Sequence, residues 1–192
     1  MAEDRKVTRL PERAAYPTPY QRERPLTEDV ALRDVMSQFA TGITVITAAG
    51  ENGHGMTANA FTSVSLEPPL VLCCVARNAR IHEAILLARG FGVSVLGADQ
   101  EEVARYFADR RRPPGRAQFD VIDHLPGPNT GAPLISGSLA WLECELVRVY
   151  HGGDHSIFLG KVLSASRGSG QQALLYFSGG FHQVQPPPAK SA

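Results

Sequence analysis

The sequence has no excess of either charge: Lys and Arg total 19, and Asp and Glu total 19. A protein that holds nucleic acid or an anionic membrane surface needs a basic face, so neither is expected as a partner. The run Arg110, Arg111, Arg112 admits two readings, a solvated loop or a local anion site. Cysteine is scarce. Three residues are too few for a disulfide framework, Cys73 and Cys74 are sequence neighbours, and no spacing matches a zinc site. No apolar run is long enough to span a bilayer, and residues 1–9 lack the apolar segment of a secretory signal. A cytoplasmic, reducing setting is the expectation.

Nucleotide fingerprints are missing too. Gly50, Gly53 and Gly55 do not follow the dinucleotide-binding spacing, and Gly160, Lys161, Val162 is no P-loop. Internal repeats are also absent, and 192 residues of average composition suit one domain. Residues 1–26 mix charges with prolines and read as a flexible arm, and residues 185–192 read as a Pro-rich tail. The folded domain is expected over 27–184.

Within that span strands outnumber helices. Thr27 is placed to cap a helix whose apolar face is Val30, Leu32, Val35, Met36 and Phe39, with Gly42 at its end. Strands are expected over 43–48, 56–66, 70–76 and 91–96, the third as a run buried on both faces. Asn78 is placed to cap a second helix containing Ile81, Ala84, Ile85 and Ala88, with Gly90 beyond its end. Asp99 and Glu102 open a third, with Val103, Tyr106 and Phe107 at helical spacing. Residues 138–150 and 156–165 form a hairpin joined through His151, Gly152, Gly153 and Asp154, and 174–177 make a last strand. Strands that follow one another without crossover helices predict a mainly β, antiparallel barrel flanked by helices.

Two stretches carry chemistry. From Gly53 to Leu66 there is no charged residue. Read as one strand, Met56, Ala58, Ala60, Val64 and Leu66 share an apolar face, while Thr57, Asn59, Ser63 and Ser65 share a polar one. A half-exposed outer strand explains this pattern. So does a surface of small uncharged donors and acceptors for a flat heterocycle. The second stretch is Gly153, Asp154, His155. A carboxylate beside an imidazole fixes its tautomer and readies it to bind a carboxamide or steady negative charge, although Asp and Gly also make ordinary turns.

Taken in order, Gly42 to Thr47, Gly55 to Ser65, Leu66 to Val71, Gln100, Tyr106 to Ala108, Leu142 to Cys144, Gly153 to His155 with Gly160, and Leu175 to Phe177 resemble the short-chain flavin reductase family. The likeness runs from about residue 32 to 184. It implies an antiparallel Greek-key FMN-binding split barrel, a homodimer, and reduction of FMN or FAD by NADH or NADPH. The reduced flavin would go to a partner flavin-dependent monooxygenase. By that resemblance Thr57, Ala58, Asn59 and Ala60 contact the flavin with Ser63, Val64 and Ser65 close by, although serine is frequent in the family where Ala60 stands. Arg80, at a helix start, would meet phosphate, or be an ordinary surface arginine. His155 with Asp154 would stand near the nicotinamide. Tyr176 would line the cleft, or pack in the core. A non-catalytic flavin-binding or electron-transfer module of the same fold is the alternative, and haem or pyridoxal phosphate is a third occupant of such a barrel.

Overall fold

The computed structural model describes residues 31–170 and 172–184. The proposed arm, the tail and the capping residue Thr27 lie outside them. Two compact units divide the chain after Met36. The first carries α1 (Leu32–Met36), shorter than expected: the helix stops before Phe39, and Gly42 belongs to a strand instead of a helix end.

In the second unit β1 (Thr41–Gly42) precedes β2 (Thr44–Ala48), β3 (His54–Ala58), β4 (Phe61–Leu66) and β5 (Pro69–Ala76). Then come α2 (Arg80–Ala88), β6 (Gly90–Val95), α3 (Glu101–Ala108) and a short pair, β7 (His124–Pro126) with β8 (Pro133–Ile135). A long hairpin follows, β9 (Ala140–Gly152) and β10 (His155–Arg167), and β11 (Ala173–Phe177) with β12 (Gly180–Val184) completes the set. Seven strands make one antiparallel sheet in the order β3-β2-β6-β9-β10-β5-β4, and β11 pairs with both β1 and β12 in a three-stranded sheet.

The expected strand over 56–66 is two strands. β3 and β4 stand at opposite edges of the large sheet, joined only by Asn59 and Ala60. Such a short link forces the edges together, so the sheet curls into a split barrel whose hydrogen-bond ladder does not close. The corner is held by backbone: the Phe61 N–H donates to the Asn59 carbonyl (3.0 Å) and the Cys74 N–H to the Ala60 carbonyl (2.9 Å). A bend at a sheet edge needs residues freed from the regular ladder, and Asn59 and Ala60 are those residues.

Two cores flank β2, as its alternating side chains require. Ile46 and Ala48 face a core with Val71, Cys73, Val75, Phe91, Val93 and Phe158, which α2 caps through Ile81, Ala84 and Ile85. Ile43 and Val45 face another, with Leu96, Ala104, Phe107, Phe119 and Leu174. β5 alternates, with Val71, Cys73 and Val75 buried and Leu70, Leu72 and Cys74 half-buried, so it is covered fully on one face only. α2 has Ala79 at its N-cap in place of Asn78, and ends on Arg89 in the left-handed region (φ 56°) one residue before Gly90. At the start of α3 the reach-back bond comes from Gln100, whose Oε1 accepts the Gly97 N–H at 3.0 Å, and not from Glu102.

Glu143 on β9 is a fully buried carboxylate. It accepts the N–H groups of Asn129 (2.9 Å) and Thr130 (2.8 Å), the Asn129 amide (2.8 Å), and the hydroxyls of Thr130 and Ser164 (2.9 Å each). Burial acts to raise its pKa, but these donors outweigh it and hold the group at about 2.

Candidate active site

A cleft of about 360 Å³ opens between β3, the start of α2 and the end of α3. Its floor and walls are His54, Met56, Thr57, Ile81, Phe107 and Ala108; its rim is Ala76, Asn78, Ala79, Arg80, Arg110 and Arg112. Among the described residues no Asp or Glu lines it. Three arginines and the N-terminal end of α2, whose first N–H groups have no intrahelical acceptor, make it a place for an anion.

Thr57 and Arg80, both expected in a site, are brought together in this cleft. Thr57 points toward α3 and donates its hydroxyl to the Ala104 carbonyl at 2.7 Å, which leaves its lone pairs as acceptors for a ligand. Ala58 is buried in the first core, its carbonyl accepting from the Thr44 hydroxyl (2.8 Å). Asn59 and Ala60 are exposed at the corner between the two edges.

The shared polar face does not survive. A bulge at Val64 places Ser63 opposite Val71 and Ser65 opposite Leu70, which are adjacent residues of β5, so Ser63 and Ser65 point to opposite faces. Tyr176 packs against the second core, its ring 5.7 Å from that of Phe181, and is not part of the cleft lining.

Asp154 and His155 stand at the tip of the β9–β10 hairpin, where Gly153 takes a positive φ of 70° that a side chain would resist. His155 Nδ1 donates to Asp154 Oδ1 at 2.8 Å. The bond from His155 holds the Asp154 carboxyl below its usual pKa. Because an ionised carboxylate only accepts, Nδ1 carries the proton and Nε2 is left to meet a ligand. The hairpin tip is tied to the cleft: His155 pairs with Ala76, the Arg77 N–H donates to the Asp154 carbonyl at 3.0 Å, and Asp154 lines a neighbouring concavity with Ala76, Arg77 and Asn78.

Sequence reasoning missed His54 and Gln118 and left Arg110 and Arg112 undecided. Buried His54 lies between Arg112 Nη2 (3.0 Å from Nε2) and Gln118 Nε2 (2.9 Å from Nδ1). Burial first, then the charges of Arg112 and Arg80, lowers its pKa to about 4, so the ring is neutral at ordinary pH. Nothing in the local pattern signals this, since the partners are more than fifty residues apart.

The profile of the flavin reductase like domain matches residues 36–185. The NADH-dependent FAD reductase of Streptomyces globisporus is 51% identical over 157 residues, covering 82% of this chain and 86% of that protein. The NADH-dependent flavin reductase StyB of Pseudomonas fluorescens is 34% identical over 163 residues, with 81% and 89% covered. Among solved structures, BorF, the flavin reductase component of a bacterial two-component tryptophan halogenase, superposes with a TM-score of 0.78 at 51% identity, over 81% of this chain and 98% of that one. The Streptomyces globisporus NADH:FAD oxidoreductase SgcE6 in complex with NAD and FAD fragments gives 0.75 at 47% identity, over 83% and 93%. With a matched profile over most of its length and relatives about half identical, the chain belongs to the flavin reductase like domain family.

Proposed function

We propose that this protein is an NAD(P)H:flavin oxidoreductase that reduces FMN or FAD and supplies reduced flavin to a partner flavin-dependent monooxygenase. The observation that carries the reading is the arginine-rimmed cleft beside β3, sharing its Ala76–Asn78 rim with the Asp154–His155 hairpin. Relatives matched over more than four fifths of their own length are NADH-dependent flavin reductases. The residues fit a flavin: small and uncharged side chains along Thr57 to Ala60, next to cationic groups for its phosphate.

When bound, flavin and nicotinamide supply the hydride acceptor and donor, so the chain's tasks are holding and orienting. Thr57 and the Ala58–Asn59–Ala60 corner offer acceptors and backbone groups to the ring, and the exposed edge of β4 carries Ser63, Val64 and Ser65. Arg80 and the α2 N-terminus hold phosphate. His155, oriented by Asp154, presents Nε2 to the carboxamide. Tyr176 contributes packing behind the site. We further propose a homodimer, supported by the apolar Val64 and Leu66 left exposed on edge strand β4. NADPH serves as a donor besides NADH in this reading, and a cytoplasmic location accords with the free thiols of the described cysteines.

Anaerobic oxidation of NADH and NADPH, without flavin and with excess FMN or FAD, tests the function. Many turnovers of flavin bleaching are expected. Binding of flavin with no turnover would sink the reading.

A further inference from the structure

The contacts of Arg112 are in conflict with one another. Gln118 is fully buried, and its amide orientation is set by its neighbours: Oε1 accepts the Gly55 N–H (2.9 Å) and Arg112 Nε–H (3.2 Å), while Nε2 faces the carbonyls of Gly53 (3.4 Å) and Gly115. A flipped amide would set donors against donors and oxygen against oxygen. His54 therefore meets an N–H at each ring nitrogen, from Gln118 at Nδ1 and from Arg112 at Nε2. A neutral imidazole has one lone pair to offer. Gln118 Nε2 has two hydrogens for three neighbours, and where one of them serves Nδ1 the ring carries its own proton on Nε2, facing the Arg112 guanidinium.

Gln118 cannot yield, being enclosed and anchored to backbone on several sides. Arg112 can. It is half-buried at the cleft rim, its guanidinium held otherwise by the carbonyls of Asp109 (2.6 Å) and Gly55 and by the face of Phe107. Among the described residues no carboxylate pairs with it: the Asp109 carboxylate is taken by Arg111, at 2.9 Å from both its backbone N and Nη2. Arg80 adds a like charge in the same cleft. A cation left in that state gains by turning toward an anion.

We propose that Arg112 is a two-position arginine, docked on His54, Gln118 Oε1 and the Gly55 carbonyl in one position and turned onto a phosphate of a bound flavin or nicotinamide nucleotide in the other, with the neutral His54 ring favouring its release. This rests on the reductase reading for the identity of the ligands. His54 is thus a positioning residue, acting on the phosphate through Arg112.

The test compares ligands with and without phosphate. Dissociation constants for riboflavin, FMN and FAD are read from quenching of flavin fluorescence, and KM for reduced nicotinamide riboside and NADH from turnover, in wild type, R112Q, R112K, H54N and H54N/R112Q. One charge-assisted contact corresponds to about tenfold or more in affinity. R112Q is expected to weaken the phosphate-bearing members of one series about tenfold and leave the phosphate-free member within about twofold; the series affected names the source of the phosphate. R112K, which keeps the charge and loses the fork, is expected to fall between, and serves if R112Q does not fold. H54N should shift the same discrimination about threefold while Arg112 is in place, and should leave it unmoved when added to R112Q in the double variant. Equal losses with and without phosphate, or an H54N effect that persists in the double variant, overturn the proposal. Phosphate discrimination by a wild-type protein that oxidises no NADH would defeat the reductase reading and leave this one standing.

Discussion

Ala58 and Phe61 are three positions apart in the chain, yet they belong to opposite edges of one seven-stranded sheet. The corner beside the cleft follows from that separation. The pair Asn59–Ala60 becomes a corner, Thr57 is turned outward to α3, and β4 is left with one unpaired edge.

On the proposed role at the nicotinamide, removing the His155 side chain (His155→Ala) is expected to lower turnover about tenfold to a hundredfold while flavin affinity stays within about twofold, since one oriented polar contact to the reacting partner would be lost. Asp154→Asn should give a smaller loss, because it disturbs only the tautomer. Steady-state rates beside a flavin-binding titration separate the two effects; equal losses in binding and turnover would count against a role at the nicotinamide.

Glu143 ties β9 to the loop at 129–130. Its folded pKa of about 2 lies below its ordinary 4.5, so its stabilisation is fully present above pH 4.5 and is lost as pH falls toward 2. The shift corresponds to about 3 kcal/mol. Glu143→Gln should lose about 1–3 kcal/mol in urea unfolding at neutral pH and flatten the acid side of the stability curve. An unchanged acid limb in the variant would contradict this account.

Gly160 faces Phe91 across the barrel interior, where an added Cβ would stand 2.5 Å from the ring's Cζ and 3.0 Å from Cys144 Cβ. Gly160→Ala is expected to cost about 1–3 kcal/mol by overpacking. A melting temperature within a degree or so of wild type would show that the sheet yields more easily than its packing implies.

The thiols should differ in reactivity. Burial pushes Cys73 far up and Cys144 up to about 12, and raises half-buried Cys74 less. Alkylation of the native protein near neutral pH, followed by peptide mass spectrometry, should label Cys74 slowly and the other two only on unfolding. Rapid labelling of Cys144 in the native protein would show that β9 opens.

Much of the fold was readable in local pattern. The β9–β10 hairpin with Gly153–Asp154 at its turn, the buried face of α2, and the mainly antiparallel class all follow from spacing and turn chemistry, which are properties of neighbouring residues. The errors fell where a tertiary constraint overrode the pattern. Residues 56–66 have the composition of one strand, but closing the sheet required a corner at Asn59–Ala60, and the bulge at Val64 then reversed the faces of the two serines.

The site divides in the same way. The sequence alone determined that Asp154 would orient His155, because adjacent residues at a tight turn have few other arrangements, and that Thr57 to Ala60 would be small and uncharged. Only the tertiary structure decided that Arg80 and Arg112 share a cleft, and that His54 is caught between Arg112 and Gln118. Those contacts join residues tens of positions apart, and their energies come from burial and from the desolvation of charge, which exist only once the chain has packed.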